Sequence, residues 1–427
     1  MNTTLLKVKK FFSRFGPGFI TGAADDDPSG VATYSIAGAQ YGYQMNWLTI
    51  FLVPAMVAIQ EMCGRIGMVS GRGLAGVIKK YHSKRLLVLA VSLLAIANTI
   101  NIGADLGIIA ASIQMVFGFY FYYWLAIVAI GIIIMEIAVP YKKYSGYLKW
   151  LGLTLCVYII TAFMVKQDWK LIAFNTLIPR MKFDLGYIMT IIGFLGTTIS
   201  PYLFFWQASD EIEEEISEGK IRDFNCKPKV VAADIKGMGF DTKAGMIFSN
   251  TITFFILLTT AATLHASGIT DITTPQQAAL SLKPLAGNFA YLLFAFGIIG
   301  IGLQSIPVLA GSLGYALAEV FGFKEGLSKK FSKAKPFYLI IAIATGVGVV
   351  INALQINIMQ ALYYAAVING IAAVPLIAII IKLADDERIV GPYKTKPANR
   401  IIAWITFSFM FISVLIMLYA LFANKGF

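Results

Sequence analysis

Eleven stretches of this chain are apolar, nearly free of charge and about as long as a bilayer core is thick. Read from the residues alone, they fall at 16–43, 47–67, 86–117, 122–140, 147–165, 186–207, 245–266, 288–312, 337–353, 357–381 and 401–422. A helix crossing the hydrocarbon needs about 20 such residues, and only helices or closed barrels satisfy their backbone there. The 427 residues therefore predict an all-α polytopic membrane protein with eleven transmembrane helices and no room for a large soluble domain. Composition agrees: 58% hydrophobic, 14% charged, mean hydropathy +0.74, where a soluble domain carries about 25% charge.

The net charge of +12 is a topology signal. With the N-terminus in the cytoplasm, 29 of the 35 Lys and Arg fall on one side, including Lys7, Lys9, Lys10 and Arg14, and six (Lys166, Lys170, Arg180, Lys182, Lys283, Lys425) on the other. The positive-inside rule then predicts a multi-pass protein of a cell (inner) membrane, N-terminus cytoplasmic and C-terminus extracytoplasmic. Basic residues spread over short segments with no stacking platform exclude nucleic acid as a partner. Apart from the lipid bilayer and a transported ion, no partner is implied, and none among proteins. Cys63, Cys156 and Cys226 stand at no metal or redox spacing, and His82 and His265 are the only histidines. No cofactor is expected.

The apolar stretch after Arg14 contains Asp25, Asp26, Asp27 and Pro28 and no convincing cleavage site, so it reads as a retained helix and not a signal peptide. The polar stretch 208–244 reads as a cytoplasmic loop, its acidic run 210–215 as a solvated helix extension, with a cation-attracting vestibule as the alternative. Residues 274–287 read as a short interfacial helix, and Tyr120 to Trp124 as an interfacial aromatic belt.

The informative residues are acids inside the apolar runs: Asp25, Asp26, Asp27, Glu61, Asp105, Glu136 and, near a helix end, Glu319. Such residues face a partner, a cavity or an ion pathway. With no basic residue expected mid-span beside them, they must be protonated or hold a cation. Glu61 reads as a packing acid or inner-gate residue, and Glu136 as a partner of Lys142 or Lys143.

Pro28 removes an amide and disfavours helix at Asp27, so a break is expected at 24–30, freeing carbonyls beside three carboxylates in an oxygen-rich cage suited to a hard divalent ion. A second break is expected at 197–202, around Pro201, 173 residues later. Two broken helices, each opening a group of five, are the pattern of transporters built from inverted repeats. Residues 1–165 and 186–381 would be the two five-helix repeats, and 401–422 an appended eleventh helix.

Gly16-Pro17-Gly18-Phe19, Asp27-Pro28-Ser29-Gly30 and Ala37-Gly38-Ala39-Gln40-Tyr41-Gly42-Tyr43 together resemble the first helix of the NRAMP divalent-metal transporters, whose motif is Asp-Pro-Gly-Asn ahead of a similar ending. Arg65-Ile66-Gly67 to Gly71-Arg72, Ala104-Asp105-Leu106, the Pro201 break, and Ala373-Val374-Pro375-Leu376 leading to Asp385, Asp386 and Gly391 also resemble family features, so the resemblance spans nearly the whole chain. It implies a LeuT-type fold, 5+5 inverted repeats plus one helix, and secondary transport of divalent cations.

The departures bear on the ion. Ser200-Pro201-Tyr202 stands where the family has Met-Pro-His, and Gly30 where it has Asn. Losing a thioether and an imidazole leaves oxygen donors, which suit Mg²⁺, Ca²⁺ and Mn²⁺. The pattern resembles the NRAMP-related branch that includes magnesium transporters. Carried over by position, the resemblance makes Asp27 the primary carboxylate ligand and the carbonyls of Ala24 and Thr197 backbone donors. Ser200 would hold a metal-bound water. Asp26, Thr198 and Gly30 are further site positions, with Asn369 behind them. Asp105, Glu61, Tyr202 and Asp25 are the proton-route or gating candidates. Ile108 replaces a family glutamate one turn past Asp105, so weak or absent proton coupling is expected.

The expectation is therefore an importer of Mg²⁺, with Mn²⁺, working by alternating access. The alternatives are a proton-coupled Mn²⁺ and Fe²⁺ importer, a cation channel, or an amino-acid transporter on the same fold, whose anionic substrate three aspartates would repel. The chain lacks a His-Glu-x-x-His or Gly-x-Ser-x-Gly motif, and no enzyme is expected.

Overall fold

The computed structural model describes residues 16–139 and 153–422, and among them nearly every apolar stretch is helical. The first span is two helices, α1 (Pro17–Asp25) and α2 (Pro28–Tyr41). Gly42, at φ +58°, ends α2 and turns the chain through a 3₁₀ turn into α3 (Asn46–Ser70). The short α4 (Leu74–Tyr81) leads to α5 (Lys84–Phe117) and α6 (Phe121–Ala138). Then come α7 (Cys156–Met164), α8 (Trp169–Leu177), α9 (Leu185–Thr198), α10 (Pro201–Ser217) and α11 (Ala232–Thr263). The remaining long helices are α12 (Ala290–Phe321), α13 (Lys335–Asn352), α14 (Ile358–Asp385) and α15 (Pro397–Phe422). The expected helix at 274–287 is the short Pro275–Ala279, capped by Thr274, followed by further brief turns.

By length and apolarity, nine segments among the described residues can cross a membrane, not eleven. Two differences account for the count. Pro28–Ser70 runs as one such segment although Gly42 divides it, and the described part of the expected span 147–165 is a 3₁₀ turn at Leu153–Leu155 followed by the nine-residue α7, too short to be counted. Lys7, Lys9, Lys10, Arg14, Lys142, Lys143 and Lys425 lie outside the described residues.

Proline alone does not break these helices. Pro54, Pro307 and Pro375 ride inside α3, α12 and α14, whereas Pro28 and Pro201 begin new helices. The difference lies in the preceding residue, whose side chain competes for backbone partners. Asp27 accepts from the Gly30 amide at 2.6 Å, and the Ser200 hydroxyl donates to the carbonyls of Gly196 and Thr197, both at 2.7 Å. The two breaks have one shape. Asp26 and Ile199 each sit at ψ 62°, and each is followed by an extended residue and then proline.

The broken helices form the core. In the most apolar stretch of 185–217, 94% of residues are buried, against 22% in α6, whose Ile127, Ile130 and Ile134 face outward as lipid-facing residues do. Small residues let backbones meet: a Cβ on Gly22 would collide with the Gly245 backbone of α11, and one on Gly196 with Ala366 and Gly370 of α14. These contacts dock α1 on α11 and α9 on α14.

The expected loop 208–244 is helical at both ends, because α10 runs to Ser217 and α11 starts at Ala232. Its acidic run is not a solvated extension. Asp210, Glu211, Glu213 and Glu215 are all buried. Gln207 donates to Glu211, and Glu213 accepts from the Tyr315 hydroxyl and the Leu327 amide at 2.8 Å each, so the run packs α10 against its neighbours.

Two other acids fasten helix starts from a distance. Asp241 of α11 accepts from the amides of Gly16, Gly18 and Phe19 at 3.0, 2.8 and 3.3 Å, satisfying the free N–H groups that open α1. Glu319 of α12 does the same for α4, accepting from Gly73 and Gly76 at 2.6 and 2.8 Å. Glu319 is therefore a structural clamp.

The candidate cation site at the two helix breaks

The site is built where the ends of four half-helices meet. At the first break, Asp27 caps α2: one carboxylate oxygen accepts from the Gly30 amide and from the Ser29 hydroxyl at 2.8 Å. The other accepts from Asn101 of α5 at 2.7 Å. Asp27 is buried and paired with no base among the described residues. Its carboxylate is thus held in a fixed position at the positive end of α2.

Opposite lies the end of α9. A Cβ on Gly30 would meet Thr197 Oγ1 at 2.8 Å and Asp27 Oδ1 at 3.3 Å, so the two breaks face each other across the bare face of Gly30. Gly30 contributes space and an amide to Asp27. Ser200 is engaged on the freed carbonyls, including that of Thr197, and Thr198 donates back to Phe194 and Leu195 of its own helix. Tyr202 closes the ring, its hydroxyl donating to the Ala24 carbonyl at 3.0 Å. Asn369 sits one residue before the Gly370 contact with α9. It is fully buried, and neither of its side-chain polar atoms has a hydrogen bond.

The three consecutive aspartates do not form one cage. Asp25 accepts from Ser249 at 2.5 Å and Asp26 from Thr253 at 3.1 Å, both on α11, while Asp27 turns to α5. The chain leaves α1 at Asp26, and the change in backbone direction there swings successive side chains apart. Among the described residues no three His, Cys, Asp or Glu side chains converge as a metal cage.

Asp105 lies one turn from Asn101 on α5 and accepts from Ser305 of α12 at 3.3 Å. Glu61 is elsewhere. It accepts from Asn399 at 2.7 Å and pairs with Arg65 at 3.7 Å and Lys243 at 3.5 Å, which corrects the expectation that no base faces it. Arg65 is buried with it, one helical turn away. Glu136 has no hydrogen bond from either oxygen among the described residues, and its expected lysine partners lie outside them.

Asn101, Ser29, Ser249 and Thr253 were not anticipated from sequence. Asn101 and Asp105, and likewise Ser249 and Thr253, are spaced by four residues inside apolar helices, and that polar stripe is the signal that marks them.

Residues 18–420 match the Nramp family, described as natural resistance-associated macrophage protein-like. The chain belongs to the Nramp family. Nramp proteins transport metal ions, so this chain is a multi-pass membrane transporter and not an enzyme. Among relatives, it is 24% identical over 400 residues to a divalent metal cation transporter MntH of Verminephrobacter eiseniae, covering 91% of this chain and 84% of that one. It is 23% identical over 436 residues to the protein of the same name from Clostridium acetobutylicum, covering 98% and 93%. In fold it resembles the Eremococcus coleocola manganese transporter, crystallised with an aromatic bis-isothiourea compound, with a TM-score of 0.73 at 16% identity over 100% of this chain and 90% of that one. It also resembles Mhp1, a nucleobase-cation-symport-1 transporter, with a TM-score of 0.61 at 12% identity over 95% and 90%. The LeuT-type fold expected of this Nramp chain is the fold of these neighbours.

Proposed function

We propose that this Nramp protein imports divalent metal cations by alternating access, with Mg²⁺ as the principal substrate and Mn²⁺ alongside it. The reading is supported by the groups that the two breaks leave near Gly30 and in the helix ends beside it: the Asp27 carboxylate, the Thr197 and Ser200 hydroxyls, and the carbonyls of Ala24 and Thr197, a proposed ligand set made of oxygen. Oxygen donors suit hard ions, and a single carboxylate suits Mg²⁺, which binds through few direct ligands and keeps several waters. Ala24 O is reached by exchange with the Tyr202 hydroxyl, and Ser200 by releasing one of its carbonyls.

The N-terminus is assigned to the cytoplasm, and residues 1–165 and 186–381 to inverted repeats, a reading supported by the matching shape of the two breaks. Entry is driven by the inside-negative potential, about 4.6 kcal/mol per divalent ion per 100 mV. Tyr202 and Ile108 offer no carboxylate or imidazole for a proton route, so coupling is weak or absent. The manganese in the name of the Eremococcus coleocola transporter favours a second reading as to the ion, a proton-coupled Mn²⁺ and Fe²⁺ importer.

The test is initial-rate Mg²⁺ and Mn²⁺ influx into proteoliposomes at matched voltage, with an internal pH dye and with Asp27→Ala as control. Mg²⁺ influx that Asp27→Ala abolishes, without stoichiometric proton entry, is the expected result. Mn²⁺ influx with proton entry and no Mg²⁺ influx would establish the second reading.

A further inference from the structure

Asp25 and Asp26 are left over once Asp27 is given the transported ion. Both are buried, neither is paired with Lys or Arg among the described residues, and both face a row of hydroxyls on α11. A second observation points to a ligand. Tyr34 of α2 is fully buried, its hydroxyl has no hydrogen bond, and it lies within electrostatic reach of Asp25 and Asp26. Asp25 Oδ1, equally buried, also has no hydrogen bond. Two carboxylates, two aliphatic hydroxyls and an unsatisfied phenol thus lie in the buried seam between the end of α1, α2 and α11, where the negative pole of the half-helix α1 adds to the attraction for a cation.

We propose that Asp25, Asp26, Ser249, Thr253 and Tyr34 form a second, monovalent cation site for Na⁺, separate from the divalent site at Asp27. This assignment rests on the reading of Asp27 as the ligand of the transported ion. The cost of removing water favours Na⁺. The carboxylates are already bonded directly to hydroxyls at 2.5 and 3.1 Å, so an ion bound here takes protein oxygens in place of water, and Mg²⁺ gives up its waters reluctantly. Na⁺ sheds water readily and takes carboxylate and hydroxyl oxygens together. A Na⁺ here would also bridge the end of α1 to α11 and so hold the first break in shape.

The experiment is saturable binding of radioactive Na⁺ to the full-length protein in detergent, with choline as the replacement ion. Wild type should bind one Na⁺ per chain, and Asp27→Asn should keep it while losing divalent binding. Ser249→Ala with Thr253→Val, which preserves volume, should weaken Na⁺ at least tenfold while Mg²⁺ or Mn²⁺ still binds in choline. Tyr34→Phe, a milder change, should weaken Na⁺ in the same direction if the double variant fails to fold. Absence of saturable Na⁺ binding, or Na⁺ affinity unmoved by these hydroxyl removals, would overturn the proposal. So would loss of Na⁺ binding in Asp27→Asn, or one Mg²⁺ still bound by that variant and displacing Na⁺. None of these readouts depends on whether Mg²⁺ or Mn²⁺ is the transported ion.

Discussion

The Tyr202 hydroxyl donates to the Ala24 carbonyl at 3.0 Å, joining the first residues of α10 to the last turn of α1 across the site. The carbonyl freed by one break is thus held by a side chain from the other. A metal that uses Ala24 must share or displace that bond. Tyr202→Phe removes the competitor, a net hydrogen bond of about 1 kcal/mol. The apparent KM for divalent influx should fall several-fold, as read in proteoliposomes. An unchanged KM would remove Ala24 from the ligand set.

Gly30→Ala tests the space between the breaks. The position is helical, so alanine brings no backbone strain, but its Cβ would meet Thr197 Oγ1, Asp27 Oδ1 and Tyr34 at 2.8, 3.3 and 3.3 Å. Overpacking of this kind costs about 1–3 kcal/mol. The expected outcome is divalent influx reduced about tenfold or more, where 1.4 kcal/mol is tenfold, in a protein that still elutes as a single folded species.

Ser200→Met puts a soft donor at the position where the family motif it resembles has methionine. It removes the hydroxyl that bonds the Gly196 and Thr197 carbonyls and puts a longer side chain in its place. A thioether favours softer ions. Mg²⁺ influx should drop more than Mn²⁺ influx, and the ratio of their initial rates is the measurement. A ratio that stays constant would mean that Ser200 does not face the ion.

Asp241→Ala removes the cap of α1. Three amides lose their acceptor, and helix-cap and charged hydrogen-bond losses are about 2 kcal/mol or more. Thermal stability in detergent should fall, while divalent affinity at the distant break changes little. A full loss of divalent binding with normal stability would make Asp241 part of the ion path.

Glu325 gives a pH-dependent prediction outside the spans. Burial, and secondarily the charge of Glu319, push its pKa up to about 10 from the ordinary 4.5. The folded state then keeps a proton that the unfolded chain has lost between about pH 4.5 and 10. This contribution is fully present below the lower value and is lost as pH rises through the upper one. Glu325→Gln should therefore raise the melting temperature relative to wild type, by a margin that grows from pH 5 to pH 9. A constant margin across that range would contradict the buried, protonated state.

Much of the fold was legible in the sequence because its causes are local. Apolar runs of bilayer length require helices, and Pro28 and Pro201 act on the residues beside them through a missing amide and a steric clash. Even so, Pro54, Pro307 and Pro375 have the same ring and break nothing, because no neighbouring side chain takes over the freed backbone there. Asp27 and Tyr202 stood out as an acid and a phenol beside those breaks.

Tertiary structure decided what those side chains face. Asp25, Asp26 and Asp27 are consecutive and chemically identical, yet two turn to hydroxyls of α11 and one to Asn101, because the chain changes direction at Asp26. The acidic run of α10 reads as solvated by composition and is buried by packing, with Tyr315 and the Leu327 amide supplying partners more than a hundred residues away. Glu61 finds Asn399 and Lys243 in the same way. Chain chemistry alone sets where a helix starts, stops or crosses the membrane; a buried carboxylate's partner is set by which helix packs beside it, and that is a property of the assembled bundle.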